Sequence, residues 1–90
     1  MDKAVDSPGD KIIIYGTEWC GDCRRARRFL DRHNIAYQWI NIDHDKDAER
    51  FVLTTNHGMR SVPTLLFPDQ SILVEPPSFL LAEKLGIKTP

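Results

Sequence analysis

The chain stays polar for its first ten residues and then turns apolar at 11–15, where Ile12, Ile13 and Ile14 in succession predict a strand buried on both faces. Gly16 and Thr17 break that run. From Cys20 onward the apolar positions fall at helical spacing. With Ala26 at the centre of the stripe, Cys23, Phe29, Leu30 and His33 all lie within about 60° of it at 100° per residue. Arg24 and Arg28 then point away from the stripe, and Arg25 and Arg27 flank it. Asn34, which tolerates left-handed backbone, predicts the end of this helix. Residues 36–42 read as a second strand. Asp43-His44-Asp45 predicts the cap of a second helix, with Ala48, Phe51, Val52 and Thr55 on one face, Leu53 off it, and His57-Gly58 as its stop. Residues 63–67 and 71–75 predict a hairpin across Pro68-Asp69-Gln70, and Ser78 the cap of a last helix carrying Leu81, Ala82 and Leu85. The order βαβαββα is that of an α/β fold. A strand, helix, parallel strand unit crosses over right-handedly, which lays the first helix against the sheet with its N-terminus at the carboxyl end of the first strand. Binding sites of open α/β sheets lie at that edge.

Composition narrows the picture without changing it. Ninety residues, 41% hydrophobic and 28% charged, suit one ordinary globular domain, with no repeat and no internal linker. Residues 1–10, with Ser7-Pro8-Gly9-Asp10, predict a flexible leader, and 11–90 a single domain. A formal charge of -1 gives no overall pull toward nucleic acid or an anionic membrane, so neither is an expected partner. The opening residues lack the apolar core of a secretory signal, and no apolar run approaches the roughly 18 residues of a membrane span. A cytoplasmic monomer is expected.

Candidate chemistry lies in the only two thiols, Cys20 and Cys23, separated by Gly21 and Asp22. So small a loop constrains the unfolded chain little, and a bridge there would stabilise the fold little. The pair points to chemistry: in a reducing cytosol, Cys-x-x-Cys beside a βαβ pattern reads as a redox motif. A helix mouth offers unpaired N–H groups and partial positive charge, which favour an ionised thiol. The dipole contributes about 0.3–1 kcal/mol, less than one pKa unit, so hydrogen bonds from backbone N–H groups and from the Cys23 thiol must supply the rest. Cys20, exposed at the mouth, is expected to attack, and Cys23, on the apolar side of the first turn, to be buried, more protonated and resolving. Of the arginines, Arg24 and Arg27 best reach forward, because helical side chains lean toward the N-terminus. Glu18 and Asp22 oppose them, and the cluster otherwise forms a solvated face. Inert buried cysteines, the plainer reading, need no helix mouth. Zinc needs two more ligands, and His33, His44 and His57 lack the spacing, while Asp43, Asp45 and Asp47 suit capping. No metal is expected. Trp19 either contacts substrate or shields the thiols.

Arg60-Ser61-Val62-Pro63-Thr64 is the second informative stretch. Proline opens a strand only where its missing N–H is not needed, and here it would face the thiols across the sheet edge. A cis Val62-Pro63 bond would turn the Val62 backbone outward to pair with an extended substrate, though the residues alone leave the isomer open.

Together, Trp19-Cys20-Gly21-Asp22-Cys23 and Ser61-Val62-Pro63-Thr64 resemble the thioredoxin-fold glutaredoxins, and the similarity runs over residues 11–87. The resemblance implies a four-stranded mixed sheet flanked by three helices, a cis proline at Pro63, Cys20 as nucleophile and Cys23 as resolving thiol. It also implies a substrate-binding set of Trp19, Arg60, Val62, Pro63 and Ser78. Residues 41–62 and 67–73, with Pro77-Ser78, look most like the mycoredoxin branch, which serves mycothiol. Conventional members carry Cys-Pro-Tyr-Cys and mycoredoxins Cys-Gly-Tyr-Cys, whereas Asp22 stands here in place of the aromatic. That carboxylate should disfavour ionisation of Cys23, and a stacking surface is lost. The lysine, Gly-Gly pair and helix-opening carboxylate that hold glutathione in conventional members fall on Thr17, Glu75-Pro76 and Phe79. A sugar-linked thiol or a bare protein disulfide is therefore expected ahead of glutathione.

The implied function is a thiol-disulfide oxidoreductase that reduces protein mixed disulfides with a low-molecular-weight thiol, mycothiol ahead of glutathione, with no tightly bound cofactor. Two routes stay open. A second small thiol frees Cys20, or Cys23 attacks the Cys20 mixed disulfide and a thioredoxin-type or mycothione-type reductase reduces the bridge, as for donors to ribonucleotide reductase. An iron–sulfur-bridging or redox-inactive binding module is the reading from another class.

Overall fold

Three isoleucines in a row place apolar side chains alternately on the two faces of a strand, so the strand that carries them must be covered on both. In the computed structural model, which describes residues 11–88, that strand is β1, Ile12–Gly16, and all five of its residues are buried. The leader expected at 1–10 lies outside the described residues. The remaining elements are α1 (Gly21–Arg32), β2 (Tyr37–Asn41), a short 3-10 turn (Ile42–His44), α2 (Lys46–Thr55), β3 (Thr64–Leu66), β4 (Ile72–Val74) and α3 (Ser78–Leu85). The sheet order is β2-β1-β3-β4, with β1 parallel to β2 and antiparallel to β3, and β3 antiparallel to β4. This is the mixed four-stranded sheet with three helices that the sequence implies.

The period of two along β1 divides the core. Ile12 and Ile14 face Ala26, Phe29 and Leu30 of α1 and Leu81 and Ala82 of α3, together with Leu65 and Phe67. Ile13 and Tyr15 face Ile42 and the α2 residues Ala48 and Val52. Helices α1 and α3 thus cover one face and α2 the other. Each large side chain sealed this way contributes about 1.5–3 kcal/mol relative to exposure.

Several boundaries move from their expected places, each for a local reason. Gly16 does not break the first strand but closes it, opposite Asn41. The second strand stops at Asn41 because that side chain accepts from the Asp43 N–H at 2.9 Å, folding Ile42 inward as part of the turn. Helix α2 is capped by Asp45 alone of the three residues expected to share the task; its Oδ1 accepts from the Ala48 N–H at 3.0 Å, a bond worth about 1 kcal/mol. The hairpin strands are three residues each, shorter than expected, since Gln70 takes a left-handed φ of 74° and the Phe67 N–H already bonds the Ser71 carbonyl at 2.9 Å. Ser78 is the first residue of α3 and not its cap. Pro77 holds that position without a side-chain bond, its carbonyl accepting from the Leu80 and Leu81 N–H groups.

Register then gathers the chemistry at one edge. The end of β1 (Gly16) lies beside the end of β2 (Asn41), and the start of β3 (Thr64) lies between Tyr15 and the end of β4 (Val74). The loops at 17–20, 42–45, 60–63 and 75–77 therefore share that edge.

Candidate active site

Cys20 is the N-cap of α1. Its backbone is extended, its carbonyl accepts from the Arg24 N–H at 3.2 Å, and its Sγ accepts from the Cys23 N–H at 3.2 Å. The sulfur thus stands where a serine or aspartate oxygen usually caps a helix. From the other side, the Val62 carbonyl lies 3.7 Å from Sγ and accepts the thiol hydrogen. The Val62-Pro63 bond is cis, and the Pro63 carbonyl accepts from the Glu75 N–H at 2.8 Å, which ties the loop to the end of β4.

This arrangement corrects one expectation. Cys20 is not exposed: it keeps 9% of its surface. Capping turns Sγ inward over the first helical turn, and the Val62 carbonyl approaches it from the opposite side. Cys23 keeps 0%, so of the two thiols only Cys20 presents surface to an incoming molecule.

Burial pushes the Cys23 thiol up to about 12, reinforced by its hydrogen bond to Cys20, while a backbone hydrogen bond at Thr17 acts in the opposite direction. The Cys23 proton therefore stays in place at neutral pH and faces the neighbouring sulfur. A negative charge on Cys20 Sγ would be met by two donors, the N–H and the S–H of Cys23. Asp22 acts on Cys23 in the expected direction but is the smallest of the causes, since it lies outside, paired with Arg25 at 2.7 Å.

The arginines reach forward but not to the thiols. Arg24 Nη1 donates to the Glu18 carbonyl at 2.9 Å, bracing the loop before Cys20, and Arg27 stacks over the Trp39 ring at 4.1 Å from its centroid. Gly16, expected only to break the first strand, and Trp39, not singled out in the sequence, border the Cys23 thiol: both that thiol and the Trp39 ring lie against the Gly16 backbone. A Cβ on Gly16 would stand 2.5 Å from Cys23 Sγ and 2.8 Å from the Trp39 ring. The one available signal was a glycine ending a fully apolar strand just before the cysteines.

The expected substrate-binding residues divide into groups. Trp19, 68% exposed, forms an open surface next to Cys20 and does not shield it, and its Nε1 donates to Asp43 Oδ2 at 3.3 Å. Arg60 is engaged by Asp43 and by Glu49. Val62 is half-buried and Pro63 buried. Ser78 is half-buried in the first turn of α3, next to Phe79, which is 70% exposed. No hydrogen bond among the described residues joins Ser78 to either cysteine. Thr17 is fully buried with an unpartnered hydroxyl, and Glu75 has a φ of 50°, left-handed backbone at the place where the resemblance puts glycine. His33 packs against Phe29 with the rings tilted by 48° and their centroids 4.5 Å apart, and among the described residues no group of three or more histidine, cysteine or acidic side chains could hold a metal.

Comparison with known proteins agrees with this geometry. A family model described as Glutaredoxin matches residues 12–72. A provisionally named glutaredoxin of Mycobacterium tuberculosis is 40% identical over 74 residues, 82% of this chain and 88% of that protein. Mycoredoxin 1 of Corynebacterium glutamicum is 35% identical over 65 residues, 72% of this chain and 80% of that one. Among solved structures, a variant of the thioredoxin-like protein BC3987 superposes with a TM-score of 0.72 at 26% identity, covering 87% of this chain and 97% of its own. The Archaeoglobus fulgidus glutaredoxin shares the fold, with a TM-score of 0.67 at 23% identity, covering 83% of this chain and 85% of its own.

Proposed function

Because the chain belongs to the glutaredoxin family of thiol-disulfide oxidoreductases, we propose that Cys20 takes up the small-thiol half of a protein mixed disulfide, with mycothiol as the preferred thiol. The Cys20 thiolate attacks the small thiol's sulfur, that disulfide breaks, and the protein sulfur leaves as a thiolate and takes a proton from water. A second small thiol, as its thiolate, then attacks the sulfur bound to Cys20, expelling the Cys20 thiolate and leaving as the oxidised small-thiol dimer. In sum, one mixed disulfide and one small thiol become one reduced client thiol and one small-thiol dimer.

The observation that carries this reading is the asymmetry of the pair. One sulfur caps a helix with the Cys23 N–H aimed at it and keeps a window to solvent, while the other is sealed and holds its proton. The preference for mycothiol has separate support. Glutathione carries two carboxylates and an ammonium, and the places that hold those charges in conventional relatives are occupied by buried Thr17, the carboxylate of Glu75 and the exposed ring of Phe79. Mycothiol, an acetylated cysteine amide on a sugar pair, carries no charge to be matched. Similarity to Mycoredoxin 1 points the same way. The proposal includes the reducing cytoplasm as the location and the domain at 11–90 acting as a monomer. Turnover of one model mixed disulfide with mycothiol, glutathione, or thioredoxin reductase with its cofactor tests it. Mycothiol is expected to be the fastest reductant, and equal or faster turnover with glutathione rejects the preference.

The same asymmetry separates the two routes. Once Cys20 is in a mixed disulfide it can carry no negative charge, so the hydrogen bond and charge that hold the Cys23 proton weaken, but burial, the largest cause, persists. Cys23 is therefore a slow resolver, and a small thiol at high concentration outruns it. Cys23→Ser, which keeps the N–H and replaces S–H with O–H, is expected to retain turnover with mycothiol within about threefold of the unsubstituted protein. Complete loss would instead assign the dithiol route and an external reductase.

A further inference from the structure

Three of the loops at the active edge are joined by one chain of polar contacts. Asp43, in the 3-10 turn after β2, accepts from Trp19 Nε1 through Oδ2 at 3.3 Å and from Arg60 Nη2 through Oδ1. Arg60 Nε donates to Glu49 Oε2 on α2 at 2.8 Å. Trp19 immediately precedes Cys20, and Arg60 stands two residues before Val62, whose carbonyl faces Cys20. The two sides of the opening to the reactive sulfur are thus held by a single guanidinium.

We infer that Arg60 is a positioning residue that, clamped between Asp43 and Glu49, fixes the Trp19 indole and the Val62 loop as the walls through which a disulfide reaches Cys20, and does not itself bind substrate. The inference rests on the oxidoreductase reading above and adds to it a determinant of access. A planar guanidinium with donors on separate edges can hold two carboxylates at once, which an ammonium does less well. Both carboxylates are already on Arg60, so its charge is largely offset before any anionic thiol arrives. The Arg60 hydrogen bond is also the foremost cause holding the Asp43 carboxyl below its ordinary range, with the Trp19 hydrogen bond a lesser one. These side chains remain about one-third exposed, which places the effect among modest, salt-screened ones.

The test replaces Arg60 in a chain carrying 5-fluorotryptophan at its two tryptophans, with fluorine signals assigned through Trp19→Phe. In Arg60→Met the Trp19 signal is expected to move toward that of a free solvated indole while the Trp39 signal stays. KM for mixed disulfides should rise about threefold to fivefold with kcat within about twofold, and Arg60→Lys should recover part of the loss. The rise should be alike for an uncharged disulfide and for a glutathione mixed disulfide. An unmoved Trp19 signal overturns the inference, and so does a KM rise confined to the charged substrate, which would make Arg60 a direct ligand. Absence of any turnover in the unsubstituted protein would sink the oxidoreductase reading, while the fluorine signals would still decide whether Arg60 holds the indole.

Discussion

Cys20→Ser is expected to remove disulfide turnover, by a factor on the order of 10⁴ or more, while leaving the fold as stable as before. A serine hydroxyl does not ionise at neutral pH and is a poor nucleophile toward a disulfide sulfur, so the chemical step loses its agent. The fold, by contrast, tolerates the exchange. Cys20 is the N-cap of α1 and its sulfur accepts from the Cys23 N–H, a task for which a serine oxygen is a preferred partner. The variant should therefore melt within a few degrees of the unsubstituted protein, which separates loss of chemistry from loss of structure. Alkylation gives an independent check: with the native chain, a small alkylating agent should modify Cys20 and spare Cys23, which has no exposed surface and holds its proton up to about 12. Turnover in Cys20→Ser within tenfold of the original, or preferential labelling of Cys23, would overturn the assignment of the nucleophile.

What could be read in advance depended on how local the determining interactions are. The run of three isoleucines and the stripe through Cys23, Ala26, Phe29 and Leu30 encode β1 and α1 locally; the helix sits where its period puts it, and the strand runs one residue further than expected, to Gly16. Capping decided more than pattern at the boundaries. Asn41 ends β2 through its own side chain, and Pro77 displaces Ser78 from the cap of α3, choices that hydrophobic alternation does not register. The cysteines were legible because their spacing carries chemistry. Their surroundings were not, since the groups that shape the site come from distant parts of the chain. The Val62 carbonyl reaches Cys20 across 42 positions, Asp43 meets Trp19 across 24 and Arg60 across 17. Arg60 illustrates the limit. The two carboxylates that engage it, Asp43 and Glu49, lie 17 and 11 positions away, where no local pattern announces them.

Gly16→Ala is expected to be the most damaging single-methyl change near the site. The residue ends β1 opposite Asn41 with no left-handed backbone, so its lack of a side chain serves close approach and not conformational freedom. An added Cβ would stand 2.5 Å from Cys23 Sγ and 2.8 and 2.9 Å from two atoms of the Trp39 ring, all nearer than atoms pack. Neither neighbour yields easily. Cys23 is sealed in the first turn of α1, and the Trp39 ring packs against the core beneath the Arg27 guanidinium. Overpacking of this kind costs about 1–3 kcal/mol, and at about 4–8 °C per kcal/mol for a domain of this size the melting temperature should fall by roughly 4 °C or more. Displacing Cys23 also turns its N–H away from Cys20 Sγ, so turnover of a mixed disulfide should drop even well below the melting temperature. Gly21→Ala supplies the contrast. A methyl there would meet nothing within 4 Å beyond its own helical turn, the backbone is helical, and alanine should leave melting and turnover nearly unchanged. If Gly16→Ala melts with the unsubstituted protein and turns over at its rate, the Trp39 ring and the Cys23 thiol are not packed against the strand end, and the sealed, proton-holding state of Cys23 loses its structural basis.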